Sequence, residues 1–432
     1  MQNSKKEAGN FLWNAVGGML NAGQSVFLLI VITRVCGLEA AGIFSIAFAT
    51  GNLFLYLGNY GVRNYQVSDL SEQYSFADYL RHRVLTVILM LLSAAVYTAW
   101  SAQAGSYSGY KTACVYAMCV LKAVDCLEEV FEGRYQQRGR LDQSGKLVTF
   151  RLAVSIGGMM AVLAVTGDLL TATWTAVILA VIASLVMIFR YRETAALDWE
   201  NRTNQTDQTN CAQGTSILQR QLGIFKACFP VCAANFLSFY LINEPKYAID
   251  AAMDETAQAC YNFIAMPVFV IQLLNMFLYQ PLLIRMTECW EQKDIRKFLG
   301  YFYKLIGALL GLSVPILAAA WLLGIPVLSW LYATDLSDLR IDLLLILVGG
   351  IFLACNGFYS AVLTITRSQK SIPVMYLVGA VLSVLLTPRA VQSYGIRGAV
   401  TAFVLVMAAV TVLLTGVFVH AVRHNEQLGP AK

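Results

Sequence analysis

The chain has 432 residues, of which 58% are hydrophobic and only 13% charged, with a formal net charge of +5. A soluble domain carries about 25% charged and about 45–50% apolar residues. This composition sets aside a soluble enzyme, a nucleic-acid-binding module and a disordered scaffold, and it indicates an all-α integral membrane protein.

A membrane-spanning helix needs about 20 mostly apolar residues, with every backbone group bonded internally. Twelve segments meet that need, at roughly 11–33, 42–62, 83–103, 112–131, 148–166, 173–189, 223–243, 258–283, 299–323, 341–365, 371–388 and 398–420. The first is too long for a signal peptide, and a second span follows almost at once, so it counts as a helix.

Several spans carry polar residues along one face. In the first, Asn14, Gly17, Gly18, Asn21, Gln24 and Ser25 align, and in the second Ser45, Asn52, Tyr56, Asn59 and Arg63 do. The fourth aligns Lys122, Asp125, Glu129 and Glu132. Asn235 and Ser238, then Gln272, Asn275 and Tyr279, and later Asn356, Ser360, Thr364 and Arg367, repeat the pattern in the second half. Polar side chains in a span usually face the bundle interior or a water-filled cavity, though small and amide residues also serve as interhelical glue. Both uses stand open for these stripes. Lys122 and Asp125, one turn apart, suit either a self-neutralising pair or a functional site, while Glu128, Glu129 and Glu132 are expected in solvent at the inner mouth.

Orientation follows from the basic residues. With the N-terminus inside, 24 of the 31 Lys and Arg fall on the inner side, six outside (Arg34, Lys111, Lys246, Arg340, Arg389 and Arg397), and Lys122 lies within a span. That excess places both termini in the cytoplasm. The longest polar segment, 191–221, then becomes an inner linker between bundles at 1–190 and 222–432, each of six helices and both in one orientation, around a central cavity. Most of the ten cysteines sit in apolar stretches without metal-ligand spacing and read as packing residues. The sequence has no HExxH, no P-loop and no strand-bound GxGxxG, so no metal, cofactor or catalytic constellation is expected.

Three stretches resemble a known family. They are NFLWNAVGGMLNAGQSVFLLIVITRVCGLEAAGIFSIAFATGNLFLYLGNYGVRNYQVSD, EGRYQQRGRLDQSGK and NEPKYAIDAAMDETAQACYNFIAMPVFVIQLLNMFLYQPLL, which together run from the first helix to about the eighth. They look like the Wzx-type polysaccharide transporters of the multidrug/oligosaccharidyl-lipid/polysaccharide flippase superfamily. The resemblance implies two six-helix bundles around a cavity. It also implies movement of undecaprenyl-diphosphate-linked sugar repeat units to the outer leaflet of a bacterial inner membrane, by alternating access, for cell-surface polysaccharides such as O-antigen or capsule. The substrate is then the lipid-linked oligosaccharide. Membrane lipid and glycan polymerase or assembly proteins are the expected partners, and a monomer is the expected form.

A diphosphate needs cations, and its sugars need amides, hydroxyls and aromatics. Arg63, in a Gly-Val-Arg segment matching the family's pattern, is the first diphosphate candidate, followed by Arg34, Lys246 and Lys122. Asn14, Asn21, Asn52, Tyr56, Asn59 and Gln272 are candidates for sugar or cavity contacts, and Asp125 for ion coupling or pairing with Lys122. An exporter of cationic drugs is the alternative within the superfamily. A membrane polymerase or ligase of lipid-linked glycans would need a larger outer loop than this chain offers.

The orientation carries a direct test. Cysteines introduced into 191–221 of a cysteine-depleted variant should resist a membrane-impermeant maleimide in intact cells, and labelling from outside would contradict the inside-positive assignment.

Overall fold

The computed structural model describes residues 2–69, 73–196 and 216–427. Among these residues the chain is helical and has no strand. The helices are α1 (Gln2–Asn59), α2 (Val62–Ser68), α3 (Phe76–Gln103), α4 (Gly109–Gln137), α5 (Leu141–Thr166), α6 (Leu169–Arg190) and the short α7 (Arg192–Ala196). After residue 216 come α8 (Ile217–Ala252), α9 (Glu255–Ala265), α10 (Val268–Glu291), α11 (Ile295–Ala319), α12 (Ile325–Tyr332), α13 (Arg340–Ile365) and α14 (Ile372–Gln427). Of the expected linker, residues 197–215 lie outside the described residues.

Among the described residues, eight helical runs are long and apolar enough to cross a membrane. Two of them contain a single non-helical glycine: Gly37, at φ 87°, divides α1, and Gly395, at φ 57°, divides α14. The sequence suggests loops at these places, but one glycine is enough for the bend, because without a Cβ it adopts positive φ at little cost. Among the described residues, counting the arms of α1 and α14 separately and adding α4 and α10 gives the expected twelve spans. The eighth is interrupted at Pro267, before α10. The ninth continues from α11 through a π-helical turn, Ala320–Gly324, into α12.

Contacts divide the chain into two compact units, Met1–Phe236 and Leu237–Lys432, with the boundary inside α8. In the first unit α4 is central and packs on α1, α2, α3, α5 and α6. One core cluster joins Phe54, Val87, Met90, Ala94, Cys119, Ala123 and Cys126, and another joins Val62, Phe76, Tyr79, Val130, Ile224 and Cys228. The described cysteines are free thiols, most of them buried as packing residues.

The entry to α3 is fixed by a capping box between Ser75 and Asp78. The buried Asp78 carboxylate also accepts from Arg220 at 3.3 Å, and its backbone carbonyl accepts from Gln221 at 3.2 Å. These bonds fasten the start of α8 to α3.

In the second unit α13 packs on α10, α11 and α14. Its core includes stacked rings at Phe302, Phe358 and Phe418. Asn275 donates to the Ala354 carbonyl at 2.8 Å and Asn356 to the Met407 carbonyl at 3.3 Å, which is interhelical glue.

A tight backbone approach in the first unit joins α1 and α5. A Cβ on Gly145 would press on the Trp13 carbonyl group and lie 2.6 Å from the Asn14 nitrogen, all backbone atoms. Overpacking a tight contact costs about 1–3 kcal/mol, so Gly145→Val should lower the thermal unfolding midpoint of the purified protein and its membrane yield. An unchanged midpoint would contradict this contact.

Candidate functional site

The first unit contains a polar cavity of about 290 Å³. Asn14, Gly17, Gly18 and Asn21 of α1 line one wall, together with Leu55 and Asn59 from the same helix's second arm. Arg63 of α2, Asp125, Glu129 and Glu132 of α4, and Ser144, Gly145, Val148 and Arg151 of α5 complete it.

Arg63 reaches the cavity because the chain breaks between α1 and α2. Tyr60 and Gly61 both have positive φ, 49° and 69°, and redirect the backbone into α2. That short helix is then held against α4. Gln66 donates to the Val130 carbonyl at 3.2 Å, Gln137 donates to the Gln66 carbonyl at 2.5 Å, and Gly133 leaves room for the Gln66 amide.

Eight charges cluster about α4 in three hydrogen-bonded groups. Arg63 donates to Glu132 at 2.8 Å and to the Gln136 side-chain oxygen at 3.2 Å. Arg83 donates to Glu129 at 2.6 Å, to the Gly58 carbonyl at 2.7 Å and to the Asn59 side-chain oxygen at 3.3 Å. Lys122 donates to Asp125 at 3.1 Å and lies over the Phe48 ring. Arg151 donates to Asp125 and, at 2.9 Å, to Glu128, which also accepts from the Ser184 hydroxyl. Four cations therefore meet four carboxylates, and the cluster is neutral overall.

Accessibility separates the cations. The side chains of Arg83, Lys122 and Arg151 are 0%, 2% and 5% exposed, whereas that of Arg63 is 27% exposed. Arg63 is thus the most accessible of the four cations, with Arg151 also lining the cavity.

Of the residues singled out from the sequence, Arg63, Asn14, Asn21, Asn59 and Asp125 converge on this cavity. Lys122 stands behind it, beside a small adjoining pocket that Asp125 and Arg151 also border. Asn52 donates to the Phe48 carbonyl of its own helix at 2.8 Å, and Asn52 and Tyr56 are not among the lining residues. Arg34 is exposed on α1, short of the Gly37 kink. Gln272 and Lys246 belong to the second unit, where Gln272 donates to the Gly350 carbonyl at 3.2 Å and Lys246 is half-buried.

The acidic group in the C-terminal half of α4 departs from expectation. Glu128 is 1% exposed and Glu132 8% exposed, so neither is freely solvated. Glu128 pairs with Arg151, Glu129 with Arg83 and Glu132 with Arg63, and Arg83 and Arg151 are among the basic residues that the sequence places on the inner side. The signal that finds them is charge balance: carboxylates at 125, 128, 129 and 132 in a membrane helix require about as many buried cations. The second unit holds a carboxylate of its own, the buried Glu244, which accepts from the Ser383 hydroxyl at 2.8 Å.

Among solved structures, an inward-facing multidrug resistance MATE family transporter of the MOP superfamily matches at a TM-score of 0.66 with 12% identity, over 94% of this chain and 96% of that one. The lipid II flippase MurJ, in an inward closed conformation, matches at 0.65 with 11% identity, over 96% and 90%. A mutant of the Vibrio cholerae MATE transporter VcmN matches at 0.58 with 13% identity, over 98% of each chain. The chain has a MATE- and MurJ-like transporter fold. No protein-family model and no curated protein matches the sequence. The likeness therefore carries the fold alone, and the chemistry rests on the cavity.

Asp125 accepts from both Lys122 and Arg151, so its loss strands the buried Lys122 and leaves Arg151 with Glu128 alone. Removing one partner of a buried pair costs about 3–5 kcal/mol. Asp125→Asn should therefore sharply reduce folded protein in the membrane, while Lys122→Met, which leaves the Arg151 pair intact, should reduce it less. Fluorescence-detected size-exclusion chromatography compares the two, and equal or reversed losses would contradict the shared-carboxylate geometry.

Proposed function

We propose that the chain is a flippase for undecaprenyl-diphosphate-linked oligosaccharide repeat units, moving them from the inner to the outer leaflet for cell-surface polysaccharide synthesis. The observation that carries this reading is the pairing of an accessible guanidinium, Arg63, with an amide wall of Asn14, Asn21 and Asn59 in one cavity. A guanidinium presents a planar fork of donors that matches a phosphate oxygen pair. Amides both donate and accept, which suits sugar hydroxyls. Ligand pockets commonly enclose about 300–1,000 Å³, so a cavity of about 290 Å³ suits a diphosphate and its first sugar better than a whole repeat unit. The lipid tail stays in the bilayer. The likeness to MurJ, a lipid II flippase, agrees with a lipid-linked headgroup as cargo.

One observation favours a second reading, the export of a cationic drug. Asp125, Glu129 and Glu132 line the same cavity as Arg63 and Arg151, three carboxylates to two cations, and the MATE transporter of similar fold is a multidrug resistance protein. Each of these carboxylates already holds an arginine, so a drug cation would have to compete with an internal guanidinium for it.

Complementation of a flippase-null strain separates the two. Arg63→Ala should abolish glycan display at normal membrane abundance, and Arg63→Lys should recover only part of it, because an ammonium keeps the charge and loses the fork. Normal display by the alanine variant would remove Arg63 from the site. Export of a cationic dye such as ethidium, lost on neutralising Glu129 and unaffected by Arg63→Ala, would favour the drug reading.

A further inference from the structure

We propose that Glu132 is an internal competitor for the substrate, occupying Arg63 in the empty cavity and giving way to the diphosphate when cargo docks. The inference rests on the flippase reading and specifies how its diphosphate contact is regulated.

Three of the four cations are fixed in place. Arg83 is bound by three acceptors on α1 and α4 and is fully buried, Arg151 joins two carboxylates, and Lys122 lies sealed between Asp125 and Phe48. The Arg63–Glu132 pair differs in the exposure of its cation. Both side chains keep some exposure, 27% and 11%, and both border the cavity. The other partner of Arg63 is Gln136, which is neutral and holds the guanidinium without claiming its charge.

Glu132 also has somewhere to go. The Ser144 hydroxyl already donates to it at 3.4 Å, and Arg151 lines the same cavity. A carboxylate leaving Arg63 therefore keeps a donor and stays near a cation, and Arg63 passes from one oxyanion to another without standing bare. That matters because a buried charge without its partner is costly. The exchange also serves transport, where a site must bind well enough to load and weakly enough to release. An unmasked arginine in a low-dielectric cavity would hold a diphosphate too long. Glu132 lowers that affinity and refills Arg63 as the cargo departs.

The test uses purified full-length protein in lipid nanodiscs, with geranylgeranyl diphosphate as probe and geranylgeraniol and inorganic pyrophosphate as controls. Removing a like charge from an anion site shifts affinity by about tenfold or more. Glu132→Gln should therefore bind the lipid diphosphate about tenfold more tightly than the wild type while delivering less glycan to the cell surface. Gln136→Glu, which adds a second internal anion beside Arg63, should bind about tenfold more weakly, and it keeps the inference testable if Glu132→Gln fails to fold. Competition by pyrophosphate supports recognition of the diphosphate group itself. Equal binding of the neutral alcohol and the diphosphate overturns it. If Arg63→Ala loses the probe but Glu132→Gln binds no more tightly, or Gln136→Glu no more weakly, the competitor role falls and the flippase reading stands. If Arg63→Ala binds the diphosphate as well as the wild type does, both fall.

Discussion

The carboxylates of α4 govern the first unit, because a charge inside a membrane must be neutralised where it stands. Asp125, Glu128, Glu129 and Glu132 fall within about two turns of one helix, and their cations come from α2, α3, α5 and α4 itself. Ser184 of α6 adds a hydroxyl to Glu128. Satisfying these four groups thus fixes the positions of the helices around α4, along with the apolar clusters beside them. Apolar packing alone gives little direction among lipid tails that are equally apolar, and this cluster supplies it.

The same cluster explains why a polar cavity persists inside an apolar bundle. The glycines at 17 and 145 let α1 and α5 lie close, and the carboxylate face of α4 borders the same cavity as the amides of α1. The break at Tyr60 and Gly61 then aims Arg63 into that space on a helix too short to span a membrane. The cations around α4 differ in degree of burial. Arg83, Lys122 and Arg151 hold the bundle, and Arg63 is left in reach of a ligand.

Much of this was legible in the sequence. Apolar length marked the spans, and the polar stripes of the first, second and fourth helices marked the wall residues Asn14, Asn21, Asn59, Arg63 and Asp125. Two things were hidden. Single-glycine bends at Gly37 and Gly395 look like loops, because composition does not show how few residues a reversal needs. Arg83 and Arg151 are counted only among the inner basic residues, because basic residues are in excess on the inner side of membrane proteins. Only the unmatched carboxylates of α4 reveal that these arginines turn inward. Asn52, Gln272 and Asn275 show the opposite error of a periodicity argument, since a polar residue on a helix face is often bonded to a backbone carbonyl and contributes packing.

Arg63 is, on this reading, the point at which a neutral cluster opens to an anionic headgroup. The most direct measurement is an experimental structure of the protein in nanodiscs with a polyprenyl diphosphate bound. Phosphate density should then lie within hydrogen-bond distance of the Arg63 guanidinium, with Glu132 turned toward Ser144 and the Arg83–Glu129 and Arg151–Asp125 pairs unchanged. Density elsewhere, with Arg63 and Glu132 still joined, would contradict it.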